Sequence, residues 1–256
     1  MKNTFVIWVF LIVTTSSFAY GFNKLNNEVQ LLKNQPQSQY NVSQEQIALL
    51  VQNEMARYKQ KDSKKALETL KNQYSLASDS STELRYGKEG ARFTFEMYSD
   101  IECPYCRQMF FDVKKVVDNS KGVINWEYKH FPLGGHNPMA AIEAQAIECI
   151  AQEQGNQSAW VALDQFIKQT QGNGKGVSQG IPEFVRTFGL NGSMLKNCML
   201  SDEAKVAVNE DYGQGANKGV SATPAIILKD NQAKREYLIK GKKTPEQLLQ
   251  AIQSIM

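Results

Sequence analysis

Between residues 92 and 131 the apolar positions change period twice. Phe93, Phe95 and Met97 alternate with Thr94, Glu96 and Tyr98, the two-residue repeat of a strand. Met109, Phe110, Val113, Val116 and Val117 then recur at helical spacing, until Lys121-Gly122 breaks the pattern and Val123 to Phe131 alternates again. The spacing predicts strand–helix–strand over residues 92–131, with Cys103-Pro104-Tyr105-Cys106 at the turn into the helix. Residues 138–212 read as mostly helical. Met139, Ile142, Ala146, Cys149 and Ile150 share one face, Trp160, Leu163, Phe166 and Ile167 a second. Phe184, Val185, Phe188 and Leu190 continue the spacing, and Met194, Leu195 and Cys198 follow. Ala225 to Leu228 and Arg235 to Ile239 are strand candidates. Thr244-Pro245-Glu246-Gln247 supplies an N-cap, a proline at the first helical position and a capping-box glutamine for a last helix faced by Leu248, Leu249, Ile252 and Ile255. The order is β-α-β, a helical block, then β-β-α, an α/β class.

The segment before this is different. Residues 20–86 are rich in Gln, Asn, Ser and Lys, and contain no Cys. Leu25, Val29 and Leu32 are spaced for one helical face, and Ser43-Gln-Glu-Gln46 reads as a capping box. Ile47, Leu50, Val51, Met55 and Tyr58 form one apolar stripe; Ala66, Leu67, Leu70, Tyr74 and Ala77 form another. These are short amphipathic helices with stripes too narrow to build a core alone. They must pack on the main domain or on another copy of the chain. Ser78 to Thr82 reads as a linker. Earlier still, Lys2, the apolar run Thr4 to Val13, and small Ser17 and Ala19 have the layout of a cleavable signal peptide over residues 1–19. That run is too short to span a bilayer comfortably; its rival is an uncleaved anchor. The expected divisions are thus a signal peptide at 1–19, a helical extension at 20–86, and a main domain at 87–256 with a helical insertion at about 135–215.

Charge narrows the partners. Twenty-nine Lys and Arg stand against 26 Asp and Glu, an excess too small to argue for a nucleic-acid partner, and none is expected. Export changes how the four cysteines read, because disulfides persist outside the cytosol. A Cys-x-x-Cys pair opening a helix places its first thiol where unpaired backbone N–H groups and the positive dipole end favour a thiolate. Cys103 is therefore the candidate nucleophile. Cys106, one turn in, is the candidate resolving thiol, with Pro104 and Tyr105 completing the motif. Two rivals exist. Half a zinc site would need a second knuckle, and Cys149, Cys198, His130 and His136 do not form one in sequence, so no metal site is assigned. A purely structural disulfide would close too short a loop to stabilise much. The run Gln171 to Gly180 lacks phosphate-loop spacing and reads as a turn; His136 reads as a loop or structural histidine, and Trp126, Tyr128 and Trp160 as core.

Residues 92–256 resemble the DsbA family of thioredoxin-fold thiol:disulfide oxidoreductases, including its DsbG-like and ScsC-like relatives. The resemblance rests on Tyr98-Ser-Asp-Ile-Glu-Cys-Pro-Tyr-Cys106, His130-Phe-Pro-Leu133 and Gly219-Val-Ser-Ala-Thr-Pro-Ala225. It implies a thioredoxin-like fold with an inserted helical subdomain and a cis Thr223–Pro224 peptide beside Cys103. A client segment would pair with Thr223 as an added strand. It also implies a disulfide between Cys149 and Cys198; from the residues alone these could equally be inert buried thiols. Many members place a buried acid six residues before the first cysteine. Here that position is Met97, and whether Glu96 takes over is open. The expected activity is disulfide interchange in exported, periplasmic client proteins, leaning toward isomerisation, with no cofactor. A membrane redox partner is expected to recharge the pair, and the N-terminal helices to form a homo-oligomer. The alternatives are a metal carrier or a client-binding chaperone on the same fold.

Overall fold

The computed structural model describes residues 23–24, 26–31, 43–77, 83–199 and 201–256. The signal peptide, Leu25, Leu32 and the 78–82 linker lie outside the described residues. The chain divides into two compact units, residues 1–56 and 57–256.

Helix α1, Gln44–Asn72, starts where the capping box was expected: Gln46 N–H donates to Ser43 Oγ at 3.1 Å and Ser43 N–H to Gln46 Oε1 at 2.8 Å. The two stripes expected as separate helices are one. Residues 59–65 between them are polar but hold no Gly or Pro, so the apolar face pauses while the backbone continues. No residue of α1 is buried. Tyr74 and Ala77, expected on the second stripe, fall beyond the helix, Tyr74 in the turn that follows and Ala77 in an antiparallel bridge to Tyr86. Tyr74 is buried, and its hydroxyl donates to Asp164 at 2.9 Å.

The sheet has five strands in the order β1-β3-β2-β4-β5, with β1 Arg85–Tyr86, β2 Phe93–Ser99, β3 Ile124–His130, β4 Ala225–Asp230 and β5 Arg235–Lys240. β2 and β3 run parallel, joined by helix α2, Pro104–Asn119; the other pairings are antiparallel. Helices α3 Met139–Gln154, α4 Asn156–Gln169, α5 Ile181–Thr187, α6 Gly192–Cys198 and α7 Asp202–Asn217 are inserted between β3 and β4. Helix α8, Pro245–Gln253, closes the chain with the expected Thr244–Gln247 capping box. This is the thioredoxin-like arrangement with a helical insertion. Sequence placed the extension's end at residue 86; Arg85–Tyr86 in fact pairs with β3, and Tyr74, Leu84 and Tyr86 lie in the main core.

Both faces of the central strands are covered. On one, Phe93, Phe95, Met97, Trp126 and Tyr128 pack with Met109, Phe110 and Val113 of α2. Trp126 meets Trp160 of α4 at 4.6 Å between rings and Phe110 at 4.9 Å, both edge-on. The opposite face is polar yet buried. Glu96 there takes Tyr98 Oη–H at 2.6 Å and pairs with Lys218 at 2.8 Å and with Lys229. α7 lies close on this face. A Cβ on Gly215 would come within 2.6 Å of the Tyr98 ring, so only glycine fits.

Candidate active site

The site forms where β2 ends. Asp100 shapes the turn: its carbonyl accepts Cys103 N–H at 3.1 Å, and its carboxylate accepts Glu102 N–H and Leu133 N–H, each at 2.8 Å. His136 Nδ1 lies 2.8 Å from the same carboxylate, which makes this histidine part of the turn's support, as a structural histidine would be. Cys103 then takes the N-cap of α2 in an extended conformation, with Pro104 opening the helix, where its missing N–H costs nothing. Cys106 and Arg107 N–H donate back to Cys103 O at 3.1 and 3.2 Å.

The two thiols sit in different surroundings. Cys103 is 5% exposed and Cys106 is fully buried; Tyr105 between them is 66% exposed. A hydrogen bond from Cys106 does most to lower the Cys103 thiol, to about 6. Burial opposes it, while the N–H groups of Cys106 and Tyr105 and the Thr223 side chain assist. Burial pushes Cys106 up, and its bond to Cys103 pushes it further. Thiolate therefore gathers on Cys103 near neutral pH while Cys106 keeps its proton. Thr223–Pro224 is cis, and Cys103 Sγ lies 3.7 Å from Thr223 O. The structure thus brings Cys103, Pro104, Tyr105, Cys106, Thr223 and Pro224 together. Cys149 and Cys198 stand apart from them, joined to each other in a disulfide between α3 and α6. Among the described residues, no group of three or more His, Cys, Asp or Glu could hold a metal ion.

Glu96 lies on the sheet face away from α2. Burial pushes its carboxyl up, but Lys218, Lys229 and Tyr98 outweigh that and hold it low. Its partners are thus two lysines and a tyrosine.

Sequence reasoning missed a second group of acids. Glu102, next to Cys103, points into the 170–177 loop. Thr170 Oγ–H bonds to its Oε1, and Gly176 N–H donates to its Oε2 at 3.0 Å. Burial alone would raise Glu102, yet Thr170, Gly176, Glu143 and Gly174 together lower it. Glu143 of α3 faces the same carboxyl and is raised to about 9, first by burial and then by the charge of Glu102. Held as a carboxylate, Glu143 would leave both oxygens without a partner; held as an acid, it can donate to Glu102. The adjacency of Glu102 to CPYC was visible in sequence, but its pairing with residues 143 and 170 was not.

The thioredoxin family profile matches residues 79–254. Among solved structures, Pseudomonas aeruginosa DsbA2 is 30% identical, with a TM-score of 0.61 over 68% of this chain and 94% of that one. Oxidised BdbD from Bacillus subtilis is 20% identical, with a TM-score of 0.57 over 67% and 91% of the two chains. The thiol-disulfide exchange protein alpha-DsbA2 of Wolbachia pipientis is 15% identical, with a TM-score of 0.55 over 77% and 97%. Among curated proteins, the Na(+)/H(+) antiporter NhaA 1 of Salinispora arenicola is 23% identical over 155 residues, which is 60% of this chain and 23% of that protein. The chain therefore spans under a quarter of that relative's length. No described helix here is long and apolar enough to cross a membrane.

Proposed function

Because the chain belongs to the thioredoxin family and is a DsbA-like thiol:disulfide oxidoreductase, we propose that it rearranges disulfides in exported client proteins, acting mainly as an isomerase. The Cys103 thiolate attacks a client disulfide. A Cys103–client bond forms, and the client's other sulfur leaves as a thiolate. When a different client thiol attacks that bond, Cys103 is regenerated and the client holds a new pairing, with no net redox change. When Cys106 attacks instead, its proton leaves, a Cys103–Cys106 disulfide forms and the client departs with both sulfurs reduced. The same steps run backward oxidise a client.

The observation that carries this reading is the contrast between the two thiols: an acidic Cys103 at the helix start and a proton-retaining Cys106 behind it. Thr223 supports it by offering backbone beside Cys103 Sγ, where an extended client segment can add as a strand. Two supports favour isomerisation over oxidation. CPYC with Thr223 resembles DsbG-like and ScsC-like proteins, and α1 carries exposed Ile47, Leu50, Met55 and Tyr58, a face through which copies could assemble and grip one client twice. The leader-like residues 1–19 support export to the periplasm, where a membrane partner would restore the working redox state.

The test compares refolding of a scrambled-disulfide substrate with oxidation of the same substrate from its reduced form, using wild type and Cys103→Ser. Faster scrambled refolding, lost in the variant, supports isomerisation. Faster oxidation overturns it while leaving the oxidoreductase intact.

A further inference from the structure

The loop over residues 170–177 is built around Glu102. Gly172, Asn173, Gly174 and Gly176 have left-handed φ of +75°, +55°, +80° and +69°. Backbone of this hand, which glycine adopts freely, lets the loop bend back so that its N–H groups face Glu102 and Thr170. Asn173 N–H reaches Glu102 O at 2.9 Å, and Gly176 N–H reaches its carboxylate. A side chain at Gly176 would be strained by its left-handed φ and would have to displace the Met139 methyl, 2.6 Å from the added Cβ. Thr170 touches both shoulders of the CPYC turn. Its hydroxyl holds Glu102, just before Cys103, and its carbonyl accepts Arg107 Nη2 at 2.6 Å, just after Cys106. Glu143 closes the group from α3. Two facing buried carboxyls would cost more than a Glu–Gln pair of the same shape, because one of them must stay uncharged in a dry site.

We propose that Glu102 is a positioning residue for Cys103: with Glu143 supplying a shared proton, its carboxylate clamps the Thr170–Gly176 loop across the CPYC turn and keeps the Tyr105 and Cys106 N–H groups aimed at the Cys103 sulfur. This rests on Cys103 being the nucleophile. The proton between the two carboxyls stays there through the exchange cycle. The help a helix start gives an anion falls off within its first turn, so loosening that turn weakens thiolate stabilisation without touching the sulfur. Removing the Glu102 charge acts the other way. The carboxylate, however, is turned into the loop and balanced by Gly174, Gly176 and Thr170, so loss of alignment outweighs it.

The experiment measures the alkylation rate of Cys103 against pH in the reduced full chain, for wild type, Glu102→Gln, Thr170→Val, Glu143→Gln and Glu143→Leu, with melting curves to establish folding. Glu102→Gln is expected to move the midpoint up by about one pH unit, which slows alkylation at pH 6 about fivefold. Thr170→Val moves it the same way by less. Glu143→Gln, whose amide can donate the same hydrogen bond, restores what Glu143→Leu loses. Folded Glu102→Gln and Thr170→Val proteins with the wild-type profile would overturn the clamp, as would identical profiles for the two Glu143 variants. If Glu102→Gln does not fold, Thr170→Val and the Glu143 pair decide. A wild-type midpoint like that of an ordinary thiol overturns the functional reading and the clamp with it; a wild-type midpoint of about 6 with unmoved variants overturns the clamp alone.

Discussion

The sulfur of Cys103 stands 3.7 Å from the carbonyl oxygen of Thr223, 120 positions later in the chain. On the proposed function, a client that pairs with Thr223 would have its cysteine delivered to Cys103, and its release would depend on Cys106. Cys106→Ser should accumulate a client–Cys103 mixed disulfide, visible as an added mass under non-reducing conditions. Cys103→Ser should trap nothing and reduce turnover to the uncatalysed rate. Trapping by Cys103→Ser and not by Cys106→Ser would exchange the roles of the two sulfurs.

Glu143 should give stability an unusual slope with pH. Its folded pKa is raised from the ordinary glutamate range to about 9, and the groups facing it include Glu102, Asp100 and the Val177 N–H. Between those two values the folded chain holds a proton that the unfolded chain has released. Stability therefore declines as pH rises through that window and levels off above it. Glu143→Gln removes the titration. Its melting temperature should exceed wild type at pH 8 and show a flatter pH dependence, measured by thermal unfolding across pH 5–10 with loop amide exchange as a local check.

Glu96 makes the opposite case. Its carboxyl is held low, so its contribution to stability is present above the ordinary carboxylate range and lost as pH falls through the folded value. Glu96→Ala removes one partner from each of Lys218 and Lys229, which keep Glu236 and Glu127, and should cost about 1.5–3 kcal/mol in denaturant unfolding. The alkylation profile of Cys103 should not move, because Glu96 lies across the sheet. A shifted profile would return Glu96 to the site.

The Cys149–Cys198 bond closes a loop with a sequence separation of 49. Chain-entropy reasoning assigns such a loop about 4 kcal/mol, with engineered and natural cases ranging widely below that. Cys149→Ala/Cys198→Ala should lower stability by about 2–4 kcal/mol while sparing the exchange activity of CPYC.

Assembly should follow the first compact unit. Deleting residues 20–56 keeps Tyr74, Leu84 and Tyr86 in the core and removes the exposed Ile47, Leu50 and Met55. Light scattering should show a multimer become a monomer, with scrambled-substrate refolding reduced and Cys103 alkylation kept. An unchanged mass would end the assembly reading.

Much of this architecture was legible because its signals are local. The alternation from Phe93 to Met97, the stripe from Met109 to Val117 and the Thr244 capping box each depend on neighbours within a turn or two. The place of CPYC at the start of a helix was legible for the same reason: the motif and the helix it opens are one segment. What escaped were meetings across long separations. The sequence pattern placed Tyr74 on a helix face; its buried position is set by Asp164 and a stack on Trp160. Glu102 looks like any polar residue before a motif. Only the fold brings α3 and the glycine-rich loop onto it, turning an acid that would otherwise seek water into a buried one. The loop itself was read as a turn because its spacing fits no phosphate site. The anion its amides hold is a side chain of the same protein.

The bond between Cys149 and Cys198 also bears on how the molecule comes to exist. Cys149 is sealed in the interior while Cys198 is half-buried, so once folded the Cys149 sulfur of this linkage is out of reach of an attacking thiolate. Before folding there is no such shelter, and the four sulfurs can join in three ways. A thiol:disulfide oxidoreductase thus starts as a chain whose own crosslink must be chosen among these pairings, and the packing around Cys149 then guards one side of it.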